Sequence, residues 1–280
     1  MLLRVLDSYS EREYIVPDYV TIISDYCFYR VNISSIQLHN EIISIGKYAF
    51  HLCNFIENIT IPESITEIKN YTFFSCLSLK IVKISNSVQS IGICAFLGCK
   101  SLKEITLSEN ITMIRKWTFY SCTNLTNITI PNSVIEIGEG AFEGCASLKY
   151  IRISENVLRI NDRAFYGCIS ITSITLPESL TTIGLKAFYK CEKLKNITIP
   201  KSVKTISSNA FSYCYSLTTV PSLGSIKKID QETFFACIEL ISIVLPENLI
   251  EIGDPAFNDC EKLKYIEIPK KSQQLDLWHL

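Results

Sequence analysis

Ten cysteines raise the first chemical question. They stand at 53, 76, 99, 122, 145, 168, 191, 214, 237 and 260, each 23 residues after the last. Such a file of thiols can be a metal site, a disulfide ladder or a strip of small hydrophobic residues. Zinc wants cysteine pairs two to four residues apart, or histidine partners. Neither pattern occurs, and His39, His51 and His279 share no motif. If the repeats stack at a strand spacing of ~4.8 Å, neighbouring Cα atoms fall within disulfide reach, so distance alone leaves bridges open. One cysteine at one inward position per repeat is otherwise what a small buried hydrophobe would do. Free structural thiols are therefore the leading expectation, disulfides the second and metal the last. Cys27 and Cys94, beside the repeat alanine position, read as packing residues too.

Asparagine offers a second chemistry. Asn32, Asn58, Asn70, Asn110, Asn124, Asn127 and Asn196 each begin an Asn-x-Ser/Thr acceptor signal, which matters only in a secretory lumen. Several arise because Asn-Ile-Thr opens the repeat's own strand, so plain surface Asn and Thr is the favoured reading. Catalysis finds no support. The chain has no Gly-x-Ser-x-Gly, phosphate-binding loop, dinucleotide fingerprint or His-Glu-x-x-His, and acidic residues such as Glu136, Glu139 and Glu143 are expected at exposed repeat positions. A non-enzyme without cofactor or metal is expected.

The elements that position these residues follow from the same period. Phe recurs at 50, 73, 96, 119, 142, 165, 188, 211, 234 and 257. Ten copies without an insertion mark a solenoid, in which each unit buries its apolar face only against its neighbours. A degenerate copy precedes them: Ile23, Cys27 and Phe28 match Ile45, Ala49 and Phe50 at a step of 22. Each unit has three parts. An Ile-x-Ile segment such as Ile128-Thr129-Ile130 alternates like a strand with one face inward. Pro often follows (Pro131, Pro200, Pro246) and stops the ladder, because it has no N–H. Next, Ser133, Val134 and Ile137 represent a turn and a short extended segment. Ala-Phe-x-x-Cys then puts Phe and Cys three apart, the spacing of a single helical turn. The expectation is an α/β repeat solenoid: twelve strand positions, from Tyr14–Val16 to 266–268, stacked over about 50 Å. The chain is one domain, 1–280, with repeats over 14–269, an N-terminal cap over 1–13 and a C-terminal cap or tail over 270–280. Gly46, Gly92, Gly138 and Gly184 recur at 46 and hint at a doubled unit.

Composition fits and narrows the function classes. The chain is 48% hydrophobic and 20% charged, enough for a sizeable core. Lys+Arg 27 against Asp+Glu 28 leaves a net charge of -1, which gives no long-range pull on nucleic acid or anionic membrane. No stretch approaches 18 consecutive apolar residues, so no transmembrane helix is expected. The opening residues lack a basic lead, a long apolar run and a cleavage site, so an ordinary secretion signal is not expected either.

The pattern carried by Ile137-Gly138, Ala141-Phe142, Cys145 and Leu148, and by Ile197-Thr198-Ile199-Pro200-Lys201-Ser202-Val203, resembles the BspA-like leucine-rich repeat family of surface antigens. The resemblance implies a right-handed coil with a parallel β-sheet on its concave face, and surface-exposed adhesins that bind host or matrix proteins. The stretch 219–225 departs from the pattern: Pro221 replaces the middle strand residue and Ser222 the second isoleucine, which predicts a local kink or weak strand.

The outward strand positions are the candidate binding residues, because repeat solenoids present that face to partners. The middle row reads Lys83, Thr106, Thr129, Arg152, Thr175 and Thr198. The row before it holds Asn127, Tyr150, Asn196 and Tyr265, and the position after the repeat leucine gives Lys80, Lys103, Lys149 and Lys195. Tyr and Arg are common interface anchors. Lys80, Lys83, Lys103, Lys149, Tyr150 and Arg152 thus form a candidate basic patch for an acidic protein surface, weighed against a solvated face whose threonines only favour strand. Two functions compete: an adhesin at the cell surface, and a cytoplasmic scaffold for protein partners, the latter suited by twelve cysteines in thiol form. Oligomeric state stays open.

Overall fold

A computed structural model describes residues 2–3 and 12–267. The chain winds into stacked coils with two parallel strand columns and one wall of turns. The first column holds Glu13–Ile15, Ser35–Gln37, Asn58–Thr60, Ile81–Lys83, Glu104–Thr106, Asn127–Thr129 and Tyr150–Arg152, then the shorter Thr219–Val220 and Ser242–Ile243. Its central residue turns inward and its flanks outward, as period two dictates: in Asn127–Thr129 only Ile128 is buried. The second column runs from Leu2–Leu3 to Glu251–Ile252 in two-residue strands such as Glu136–Ile137. Pairing is parallel and advances one repeat per step, with Ile137 opposite Ile114 and Ile160. At the N-terminal end the advance is shorter, 20 residues from Leu3 to Ile23 and 22 from Ile23 to Ile45.

The core is one continuous file. Eleven phenylalanine rings, Phe28 to Phe257, stack nearly parallel with centroids 5.1–5.6 Å apart. Each ring is closed in by the repeat Ala, Cys, Leu and Ile positions, and all but the last are essentially solvent-free. The N-terminal coil joins the stack through Tyr14, whose ring meets the edge of Phe28 at 5.3 Å.

The helical turn expected at Ala-Phe-x-x-Cys is absent: among the described residues there is no helix. The reason lies in where the amides go. In residues 140–145, the N–H groups of Ala141, Glu143 and Cys145 donate three residues back, to Gly138, Gly140 and Phe142. Those of Gly140, Phe142 and Gly144 instead donate onward, to Asp162, Ala164 and Tyr166 of the next coil. A helix needs every amide for itself; here every second one binds the neighbour. The chain follows by taking positive φ twice per turn, at Gly140 (55°) and Gly144 (73°). Elsewhere ordinary residues accept the same strain, including Tyr48, Leu52, Trp117 and Lys190, at about 1–2 kcal/mol each. The molecule is therefore a β-solenoid of leucine-rich-repeat type rather than an α/β one.

The departure at 219–225 is a one-residue slip. Val220 keeps the inward position, but Leu223, not Ser222, fills the second one and pairs with Ile199. Ser222 turns its hydroxyl onto the Ile199 carbonyl at 3.0 Å. Gly224 then recovers the register at φ 69°, where a Cβ would sit 2.6 Å from the Pro200 carbonyl oxygen. The strand there is two residues long, and between Arg152 and Thr219 the column is reduced to the isolated bridges Ser173–Asn196, Asn196–Thr219 and Ile199–Leu223. Most of the expected N-terminal cap and all of the 270–280 tail lie outside the described residues, as do positions 268 and 269.

Candidate partner-binding face

The twelve cysteines are buried free thiols. Ten of them, Cys53 to Cys260, donate Sγ–H to the phenylalanine carbonyl of the preceding coil, Cys53 to Phe28 at 2.7 Å and Cys145 to Phe119 at 3.1 Å. The same carbonyl also accepts the cysteine amide of its own turn, as Phe119 does from Cys122. The column thus stitches coil to coil, a role a purely apolar side chain could not fill. Burial pushes Cys53, Cys99 and Cys145 from an ordinary value of 9.0 up to about 12. The thiols stay protonated, which suits a donor and disfavours nucleophilic chemistry.

The strand face places the predicted binding residues as follows. Lys83, Tyr150 and Arg152 all point outward on the first column. Tyr150 is 68% exposed, beside the exposed Lys149, and pairs in register with Asn127 while Arg152 pairs with Thr129. Lys149, Tyr150 and Arg152 therefore form one compact group on one coil. Lys83 does not join it: its register neighbours are Thr60 and Thr106, three coils and about 14 Å from Arg152 at the strand spacing. Lys80 is held by Glu57 at 2.8 Å, and Lys103 is followed on the same face by Glu104. The six residues resolve into a Tyr/Arg/Lys group on one coil and a separate, partly neutralised lysine group. Of the asparagine signals, Asn32, Asn58, Asn110, Asn124, Asn127 and Asn196 are exposed, whereas the half-buried Asn70 spends its Oδ1 on the Ile93 amide at 2.9 Å.

The turn wall holds what the sequence reading missed. Tyr26, Tyr48 and Tyr71 stack with centroids 4.7 and 4.5 Å apart, and Tyr29, His51 and Phe74 stack beside them at 5.1 and 4.6 Å. The nearby Cys94 and burial both raise the Tyr71 phenol. Burial lowers His51, whose Nδ1–H donates to the Phe74 carbonyl at 2.9 Å. A second group, Tyr166 on Tyr189 at 4.8 Å, carries Arg163, Lys186 and Lys190 over its rings. The signal was legible: aromatic residues recur at the positions just before Ala and just after Phe.

A parallel coil with a short strand, a second strand and a turn wall per 22–23 residues defines a leucine-rich-repeat solenoid, a general protein-interaction fold. The chain belongs to the BspA type leucine-rich repeat family, whose region matches residues 8–111, 66–191 and 158–278 in six copies. Among solved structures, a leucine-rich repeat protein of T. pallidum is 33% identical over 55% of this chain and 72% of its own, with a TM-score of 0.53. One from Bacteroides ovatus is 26% identical over 98% of this chain and 88% of its own, with a TM-score of 0.54. A leucine-rich cell surface protein of Faecalibacterium prausnitzii shares the fold at 23% identity, covering 95% of this chain and 90% of its own, with a TM-score of 0.54. No curated protein matches the sequence. No described helix is long and apolar enough to cross a membrane.

Proposed function

We propose that this chain is a protein-recognition module displayed at a cell surface, whose partner docks on the outward face of the first strand column. The observation that carries the reading is Tyr150, a large exposed aromatic on a rigid strand with Arg152 and Lys149 beside it. An aromatic body with a cationic rim anchors interfaces well, because the ring buries area at little entropic cost and Arg pairs bidentately with carboxylates. Lys80, Lys83 and Lys103 extend the same sign toward the N-terminal coils and favour an acidic partner surface by steering rather than by contact. Matrix and host proteins are the partner class. The surface placement draws on the family and on the cell surface protein that shares the fold.

The test is a binding screen of immobilised matrix proteins against the intact chain, with Tyr150→Ala/Arg152→Ala as the variant. Loss of at least tenfold in affinity at unchanged stability is expected, the size of one interface anchor. Unchanged binding by the variant sinks the Tyr150 face. The buried thiols favour a second reading, a cytoplasmic scaffold in a reducing compartment. Antibody labelling of intact source cells separates the two: labelling before permeabilisation supports the surface module, and labelling only afterwards supports the scaffold.

A further inference from the structure

At the corner between the second strand column and the turn wall, three coils carry their own acceptor. Gly46, Gly92 and Gly184 press against the preceding coil so closely that a Cβ would lie 2.3, 2.4 and 2.5 Å from the amide nitrogens of Asp25, Asn70 and Asp162. The side chains of those three residues fold over the glycines. Their Oδ1 atoms accept the next amides, Lys47 at 2.7 Å, Ile93 at 2.9 Å and Leu185 at 2.8 Å. This pairing is the physical content of the 46-residue alternation: the Asx in one coil and the Gly in the next need each other.

Two corners break the rule: Gly253 faces Gln231 in place of an Asx, and Gly138 faces Lys116. Gly138 is close but looser, with a Cβ 2.7 Å from the Ile114 carbonyl oxygen and 2.9 Å from Lys116 N, and Lys116 stands where the Asx should be. A lysine has no oxygen to offer the Glu139 amide. Its ammonium turns away to the Glu139 carboxylate at 2.7 Å and lies over the Trp117 ring at 4.1 Å. Arg115 precedes it. The equivalent Lys69 and Asn161 reach back to Ser44 Oγ at 2.9 Å and Glu136 Oε1 at 2.7 Å, whereas Arg115 Nε is a buried donor without a partner among the described residues. A recess of about 460 Å³ opens at this point, its wall including Ile93, Met113, Arg115, Glu136, Glu139 and Asp162.

We propose that this corner binds a carboxylate carried by an acidic side chain of a peptide or protein. The ligand oxygen takes the place held elsewhere by Asp25, Asn70 and Asp162, accepting from the Glu139 amide and from Arg115. A carboxylate suits such a site because charge-assisted bonds to guanidinium and amide together are short and strong. The acidic neighbours are already committed: Glu136 to Arg159 at 2.7 Å, Glu139 to Lys116, and Asp162 to the Leu185 amide. Arg115 is the cation left over. The corner is separate from the Tyr150 face, and neither reading depends on the other.

The amides of Lys47, Ile93, Glu139 and Leu185 in the ¹⁵N-labelled chain read the site directly, three of them as internal controls. The probe is N-acetyl-aspartate N-methylamide, compared with its asparagine counterpart and with inorganic phosphate. A saturable shift at Glu139, with the other three amides still, is expected for the aspartate probe. Arg115→Gln lowers its affinity about tenfold or more, as loss of a charge-assisted bond should. Lys116→Asp supplies the missing cap from within; it removes the saturable shift and raises the thermal midpoint. No saturable shift at Glu139, a shift unchanged in both variants, or tighter binding of phosphate than of aspartate overturns the proposal.

Discussion

Two aromatic columns run side by side through this molecule and meet different fates. Inside, the phenylalanine rings from Phe28 to Phe257 stack through eleven coils without a gap. Outside, Tyr26, Tyr48 and Tyr71 stack just as flat, within 3–4° of parallel, yet the next coils place Cys94, Trp117, Gly140, Arg163 and Lys186 at that position. Coil register brings rings face to face wherever they occur. Only burial makes one residue type indispensable there, since the interior ring loses all its water while Tyr26 keeps 49% of its surface exposed. Stacking geometry is a product of the fold; transfer from water holds the fold together.

The largest effect that would test this contrast comes from alkali. The nine thiols of the 23-residue column from Cys53 to Cys237 are pushed up by burial beside the phenylalanine file, Cys53, Cys99 and Cys145 to about 12. Below the ordinary value of 9.0 both states hold the proton and nothing changes. Above it the unfolded chain releases protons that the folded one keeps, so stability falls by up to about 1.4 kcal/mol per pH unit for each thiol. Denaturant midpoints are expected to be nearly flat from pH 7 to 8, to begin falling as pH approaches 9 and to drop steeply above it; a flat profile to pH 11 means the thiols are not desolvated. Phe142→Ala should cost about 3–5 kcal/mol in a denaturant titration, and a loss below 1 would place that ring outside the core. Gly92→Ala drives a Cβ into the backbone of Lys69 and Asn70 and should cost about 1–3 kcal/mol by overpacking; a neutral result would dissolve the corner argument. Tyr48→Ala, on the outer column, should cost about 1 kcal/mol, the worth of its ring contacts. A loss matching that of Phe142 would erase the distinction between the columns.

Much of this was legible in the sequence. Phe, Cys, Ile and Leu at fixed offsets gave the coil, its inward residues and the outward rows that contain Lys83, Tyr150 and Arg152. The backbone path of the turn wall was not legible, unlike its aromatic columns, because Tyr48, Leu52 and Lys190 carry positive φ that no residue type announces, and because a hydrogen bond to the next coil leaves no mark on its own segment. Phe and Cys three apart fit a helical turn and a chain of β-turns equally well. The candidate patch looked continuous because its rows were read one at a time; counted in coils, Lys83 and Arg152 are three steps apart. The slip at Ser222 and Leu223 was visible as an irregularity, but which residue would reclaim the core depended on Gly224.

The turn wall also gives the molecule a direction. Its onward amides all point the same way, from each coil toward the one that follows, as Phe142 to Ala164 and Phe165 to Ala187 do. Partial positive charge therefore gathers on the C-terminal side of the wall and partial negative charge on the N-terminal side, as along a helix axis. A second solenoid could extend this wall only head to tail, carbonyls meeting amides. Where the series reaches residue 255 it meets a proline, which has no N–H to give. At that coil the onward series is one donor short.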